Sequence, residues 1–297
     1  MAARVPFWWH SIDLGDGIVT KGLKSSKHLK NELESLRLPD LNGKTVLDIG
    51  AFDGFYSFEA ERRGASRVVA LDHYVWSLDI AKTIANWRDS KKRGVAPDLD
   101  DEASRLDPRG LPGMLAYNTA HQALDSKVET LVTDFMEHDL TSLGTFDIVL
   151  YLGVLYHIQN PFEALKRVAA VTGELAIIET EALAVPGYED HALCEFFEGS
   201  ELNNDSSNWW VPNEKAVLGM CRAAGFRRVE TIVGRPNTLA SKLRSSVGLT
   251  LRELESRRKE SIGARLRFTT ESVLRELRLT KTPPSLVRYR AVVHAWK

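Results

Sequence analysis

Apolar positions along this chain fall into two alternating kinds of block, short continuous runs and stretches with helical spacing. Residues 44–49 (KTVLDI) form a compact apolar run closed by Gly50, which predicts a buried strand. Within 55–63, Phe55, Phe58 and Glu59 sit at helical spacing and Gly64 is a natural stop. The run 66–72 (SRVVALD) predicts a second strand that ends in an acid, and 77–90 predicts a helix. Further strands are predicted at 127–134, 146–153, 173–180 and 227–234, with helices at 115–124, 161–171 and 213–225. The closing stretch SLVRYRAVVHAWK alternates apolar and polar residues like a last strand. Alternation at this spacing is that of βαβ units, so the expected fold class is α/β, a parallel sheet with helices on both faces. Two segments interrupt the pattern. Residues 95–113 are rich in Asp, Pro and Gly and predict a surface excursion, whereas 235–285 predict a basic, mostly helical insertion.

Composition narrows the class without naming it. No apolar run approaches the roughly 18 residues that span a bilayer, so no membrane partner is expected. The start, MAARVPFWWHS, lacks the apolar core and small residues of a secretory leader. Cys194 and Cys221 match neither a disulfide framework nor a zinc spacing, which points to no metal and a cytoplasmic address. The net charge of −1 hides an asymmetry, since residues 221–297 carry 18 Lys and Arg against 6 Asp and Glu. Such a stretch is either a polyanion-binding face or a set of solvated helices.

In an open α/β sheet, ligands bind at the carboxyl ends of the strands. Here the first strand runs into Asp48, Gly50, Ala51, Asp53 and Gly54, with glycines that let backbone approach a ligand. The spacing is not GxGxxG, and no GxxxxGK[ST] loop is present, so a pyrophosphate cradle is not expected. Asp72, some twenty residues on, can accept both hydroxyls of a ribose. Asp134 and Phe135 offer an acceptor and a ring suited to an adenine edge and face. Acids at the ends of three successive strands together predict a nucleoside site with no phosphate requirement.

These residues carry a resemblance. VLDIGAFDG is similar to the first signature of class I S-adenosylmethionine methyltransferases, VLDxGxGxG, with Ala51 read as the replacement of the second glycine. LGVLYHIQNPFEAL, residues 152–165, resembles the GVLYHxxxPxxxL segment of the tRNA wobble-uridine carboxymethyltransferases and their relatives. GELAIIET, WWVPNEKAV and RRVE follow in that family's order, and WWHSIDLGDGIVTKG resembles its N-terminal segment. The resemblance implies a Rossmann-like seven-stranded sheet, mostly parallel with an antiparallel last strand. It implies an N-terminal segment over 1–43 and a methyltransferase domain over 44–297, with insertions at about 91–126 and 235–285 covering the site. It also implies S-adenosylmethionine held by Asp48, Gly50, Ala51, Asp53, Asp72, Asp134, Phe135 and Leu152. The tRNA enzymes use carboxy-S-adenosylmethionine, gripped by a lysine, by the tyrosine of VLYH and by an arginine of the final strand. Tyr156 and Arg290 match the last two. The lysine has no counterpart, so plain S-adenosylmethionine is the expected cofactor.

For the chemistry, His157 directly follows the fourth strand and is either a general base or a cap for the next helix. His10 is a second candidate. Glu179 could bind a substrate hydroxyl or close the sheet, and Trp209 and Trp210 could stack on an acceptor or pack. Period-two alternation in the last strand puts Arg288, Arg290 and Val292 on one face, where Arg290 needs an anion such as Glu179, Glu181 or a ligand carboxylate. The expected activity is O-methylation of a small or sugar-like hydroxyl acceptor. Alkylation of a tRNA wobble uridine and a non-catalytic cofactor-binding role are the alternatives.

Overall fold

The computed structural model describes residues 5–95, 104–185, 187–203, 205–235 and 286–297. The helical insertion expected at 235–285 lies outside the described residues, apart from Arg235. Seven strands form one sheet: β1 (Thr45–Ile49), β2 (Arg67–Asp72), β3 (Glu129–Val132), β4 (Phe146–Leu152), β5 (Thr172–Ala184), β8 (Arg228–Val233) and β9 (Val287–Trp296). Their order is β3-β2-β1-β4-β5-β9-β8. The first five are parallel to their neighbours, and β9 runs antiparallel to both β5 and β8. This is the mostly parallel seven-stranded sheet with an antiparallel last strand that the family resemblance implies.

The core follows from strand periodicity. Val46, Ile148, Leu150, Ile177 and Val292 face one layer with Trp76 and Tyr117. Leu47, Ile49, Val149, Tyr151, Ile178 and Val293 face the other, against Val168 and Val217. Full burial of one such side chain stabilises the fold by about 1.5–3 kcal/mol. Covering that second face are α6 (Pro161–Val171) and α7 (Glu214–Ala223). Both begin on an asparagine whose side chain accepts a backbone N–H, Asn160 from Glu163 and Asn213 from Ala216. On the opposite side α2 (Phe55–Arg62) starts from Gly54, in the left-handed region at φ +84°.

Three features go beyond the expected elements or differ from them. An N-terminal helix, α1 (Ser26–Leu36), buries Leu29 and Leu36, and its last carbonyl accepts His294 Nε2 at 2.8 Å, tying it to β9. Leu29, Leu33 and Leu36 stand at i, i+4 and i+7, so the helix is amphipathic and its period is present in the sequence. Two three-residue strands, β6 (Cys194–Phe196) and β7 (Trp210–Pro212), pair antiparallel between β5 and α7. They are too short to show alternation. The excursion at 95–113, where described, is docked rather than splayed. Asp79 N–H donates to the Arg105 carbonyl and Asp107 N–H to the Ser77 carbonyl, while a Cβ on Gly113 would run into the Val75 carbonyl. These contacts join it to the short helix α3 (Tyr74–Ser77) and to the start of α4 (Ile80–Arg93); α5 (Leu115–Ala123) follows. Among the described residues no helix is long and apolar enough to cross a membrane.

Candidate active site

At the carboxyl end of β1 the chain turns through Gly50–Gly54 into α2. Gly50 lies at φ +81°, and a Cβ there would fall 2.5 Å from Val154 Cγ2, so the turn can press against the exit of β4 only with glycine. Counted at steps of two from Gly50 and Gly54, the place of the signature's second glycine is filled by Phe52, not Ala51. Phe52 nonetheless holds the left-handed backbone, φ +53°. Its N–H donates to Asp72 Oδ2 at 3.0 Å, its carbonyl accepts Trp76 Nε1 at 2.6 Å, and its ring lies 5.6 Å from that of Trp9. Ala51 is buried beside it.

Two acids close this end. Asp48 is 2% exposed and accepts the Ser57 hydroxyl at 2.6 Å. Asp72 is 5% exposed and accepts Phe52 N–H on one oxygen and Val75 N–H on the other. Burial pushes each carboxyl up to about 6, against the pull of these hydrogen bonds. Carboxylates held at such a cost in their ionised form suit a ligand that brings hydroxyl donors and positive charge. A ribose and a sulfonium fit that donor set.

Three residues expected at the cofactor do something else. Asp53 is fully committed to the N-terminal segment, because Oδ2 accepts Trp9 N–H at 3.0 Å and His10 N–H at 2.8 Å, while Oδ1 meets His10 Nδ1. The same pairing uses up His10, which is buried and stacked on Phe55 at 5.3 Å. Phe135 turns its ring into the core against Tyr151, with 6% exposure, so it offers no aromatic face to an adenine. Asp134 stays at the strand end, with Oδ1 accepting Met136 N–H at 2.8 Å. Leu152 ends β4, in register with Glu179 on β5.

The ends of β4, β5 and β9 meet in a second cluster. Arg290 pairs with Glu179 through two nitrogens, reaches Glu181 at 3.3 Å and donates to the Tyr156 hydroxyl at 3.1 Å, its guanidinium lying 5.1 Å from the centre of the Tyr156 ring. Burial pushes the Tyr156 phenol up even with Arg290 beside it, so it is a neutral donor near pH 7. Gly153 lies at φ +75°, and since a Cβ there would stand only in ordinary contact with Arg290, Tyr156 and Glu179, it is the left-handed backbone and not the space that favours glycine. The His157 ring lies 4.3 Å from that of Tyr156, and its Nδ1 bonds to Ser207, at 2.9 Å to the hydroxyl and 3.2 Å to the carbonyl. Trp209 N–H donates to the Tyr156 carbonyl, and Phe196 lies against both tryptophans, 6.4 Å from Trp209 and 4.8 Å from Trp210. Sequence reasoning missed Ser207 and its partner Asp205. The only signal for them is a polar Asp-x-Ser turn just ahead of WWVPN.

This sheet order, with acids at the ends of β1 and β2 and no phosphate loop, defines a class I methyltransferase. A family model described as a methyltransferase domain matches residues 25–231, and the chain belongs to that family. Its cofactor is S-adenosylmethionine. Among curated proteins it is similar to the tRNA U34 carboxymethyltransferase of Colwellia psychrerythraea, 27% identical over 66% of this chain and 48% of that protein. The corresponding protein of Helicobacter pylori strain G27 is 26% identical over 65% of this chain and 59% of its own length. The chain therefore spans about half the length of the curated relatives it matches. The crystal structure of EvdMO1 superposes with a TM-score of 0.50 at 15% identity, covering 99% of this chain and 45% of that one, which is a likeness of fold alone.

Proposed function

We propose that the chain methylates a hydroxyl on a small, sugar-like acceptor, with His157 as the general base. The observation that carries this reading is the His157 ring, held through Nδ1 by Ser207 at the exit of β4 and lying 4.3 Å from the ring of Tyr156. The bound cofactor supplies a methyl carbon on a sulfonium. Asp72 accepts the ribose hydroxyls, Asp134 takes the adenine amino edge, and the Gly50 turn lets backbone come close to the cofactor. His157 would accept the acceptor's proton as the oxygen–carbon bond forms and the carbon–sulfur bond breaks, the cofactor leaving as a neutral thioether. Phe196, 53% exposed beside Trp209 and Trp210, offers a face on which an acceptor ring can stack.

The contact of Arg290 with Tyr156 favours one second reading, carboxymethyl transfer to a tRNA uridine, because these two residues match the carboxylate grip. Against it, the guanidinium already serves Glu179 and Glu181, so a cofactor carboxylate would have to displace one of them. Methyl-labelled S-adenosylmethionine incubated with the protein and either a metabolite extract or bulk tRNA separates the two. Label in the small-molecule fraction is expected. Label in tRNA, with binding that falls steeply as salt rises, would overturn the first reading.

A further inference from the structure

We propose that Asp205 and Ser207 are positioning residues that fix the tautomer of His157, placing its proton on Nδ1 and its basic lone pair on Nε2, and that they raise its basicity. The proposal rests on the reading of His157 as the base. Its warrant is the direction of three hydrogen bonds. Ser207 Oγ lies 2.6 Å from Asp205 Oδ1, and an ionised carboxylate only accepts, so the single hydroxyl proton goes to Asp205. The Ser207 oxygen is then left to accept from His157 Nδ1 at 2.9 Å. Independently, Nδ1 lies 3.2 Å from the Ser207 carbonyl, which has no proton to give, so Nδ1 is again the donor. Both bonds demand the same tautomer.

The arm that carries these groups is locked in place. Ser207 N–H also donates to Asp205 Oδ1 at 3.0 Å, Asp205 N–H donates to the Leu202 carbonyl, and Asn208 reaches that carbonyl through its side chain at 2.9 Å. A turn needs only the first of these bonds to close. The hydroxyl bond adds a relay from carboxylate to ring. When Nε2 takes a proton, the imidazolium finds a dipole aimed at it and a negative charge one hydroxyl away, which favours the protonated ring.

Among the described residues, the other charges near the ring are paired as follows. Glu179 and Glu181 of β5 pair with Arg290 of β9, whose guanidinium lies over Tyr156. On α6, Glu163 pairs with Lys166, and Arg167 donates to the carbonyls of Phe135 and His138. The β7 strand, Trp210–Pro212, brings no titratable group. Among the described residues, Asp205 is the carboxylate coupled to His157 through a hydrogen-bonded hydroxyl.

The test is long-range proton–nitrogen correlation on the full chain labelled with 15N-histidine, recorded across pH, with His157 assigned from the His157→Gln variant. The neutral ring is expected to carry its proton on Nδ1. Asp205→Asn keeps an acceptor for the turn and removes the charge, so the His157 pKa should fall by about 0.5–1 unit. Ser207→Ala should lower it similarly and mix the tautomers, and Ser207→Thr should restore both. Unchanged affinity for S-adenosylhomocysteine shows that these variants fold. A neutral ring protonated on Nε2, or a His157 titration unmoved by Asp205→Asn, overturns the proposal. Normal turnover in His157→Gln would instead end the base reading, and that result is distinct because the wild-type ring's spectrum does not depend on it.

Discussion

At the β1–β2 end of the site, the buried acids are tied chiefly to backbone N–H groups or a hydroxyl, the His10 ring on Asp53 being a side-chain imidazole among their partners. Asp72 binds Phe52 and Val75, Asp53 binds Trp9 and His10, and Asp48 binds Ser57. At the β4–β5 end, charged side chains are tied chiefly to one another, Arg290 to Glu179 and Glu181, and His157 through Ser207 to Asp205. Groups held by backbone are fixed as soon as the fold forms, so the first end is set up for a constant ligand. A network of side chains can exchange partners, and that suits an end where an acceptor must enter and leave. The contrast gives a rule to test: substitutions at the β4–β5 end should change chemistry, and those at the β1–β2 end should change stability and cofactor binding.

The largest expected effect is at His157. Replacing it by Gln should lower turnover by roughly a hundredfold or more while leaving cofactor affinity intact. Single-turnover transfer of labelled methyl, set beside calorimetric cofactor binding, reads both quantities. Parallel losses in the two would erase the distinction between the ends. Next comes Asp53→Ala, which strips the acceptor from two backbone N–H groups and from His10 Nδ1. Each buried donor left unpaired costs about 1–3 kcal/mol, so with three donors a loss of about 3 kcal/mol or more in urea unfolding is expected, along with faster hydrogen exchange over residues 8–12. Equal exchange in variant and wild type would mean that the N-terminal segment is held by something else.

The same contrast explains what could be seen in the sequence. The β1–β2 end was legible because its groups sit at strand ends a short distance apart, as Asp48, Gly50 and Asp72 do. The sheet was legible because each strand is a buried run of its own. Asp53 shows where this fails, since its carboxylate answers to backbone 43 and 44 residues away, which no local pattern reports. At the other end, His157 meets Ser207 across 50 residues and Tyr156 meets Arg290 across 134. Tyr156 stands out through the family resemblance, and Arg290 both through it and through period-two alternation in the last strand. Ser207 and Asp205 had no such help. Phe135 misled because an aromatic at a strand end can turn to either side, and the space beside Tyr151 took its ring inward.

A smaller effect is expected from pH at Asp72. Its folded value of about 6 stands above the model-peptide 3.8 because burial disfavours the charge. For an acid shifted upward, the stabilising contribution is full below about 3.8 and is lost as pH rises through 6. Between pH 4 and pH 7.5 wild type should therefore lose about 1–3 kcal/mol relative to Asp72→Asn, which cannot ionise. Cofactor binding near pH 6 should release a proton from wild type, because ribose hydroxyls favour the ionised carboxylate, and Asp72→Asn should release less. Calorimetry in buffers of different ionisation enthalpy measures that difference. Equal proton release would remove Asp72 from the ribose.

The smallest effect concerns Phe52, where the two halves of one residue pull in opposite directions. Its backbone sits at φ +53°, a region that costs a residue with a Cβ about 1–2 kcal/mol and costs glycine nothing. Its ring repays part of that by packing 5.6 Å from Trp9 and 6.4 Å from His10, on the segment that Asp53 anchors. Phe52→Ala loses the ring and keeps the strained backbone. Phe52→Gly loses the ring and relieves the strain. In most contexts glycine is the less stable of that pair, by about 0.5–1 kcal/mol, through its greater freedom when unfolded. Here the order should reverse, with Phe52→Gly more stable than Phe52→Ala by about 1 kcal/mol in urea unfolding. Both variants should loosen the N-terminal segment alike, because neither has a ring for Trp9 to meet. An alanine variant as stable as the glycine one would mean that the turn relaxes to negative φ once the ring is gone. The left-handed backbone would then be a consequence of the Phe52–Trp9 contact, and the turn would not need the conformation for which the signature's second glycine is suited.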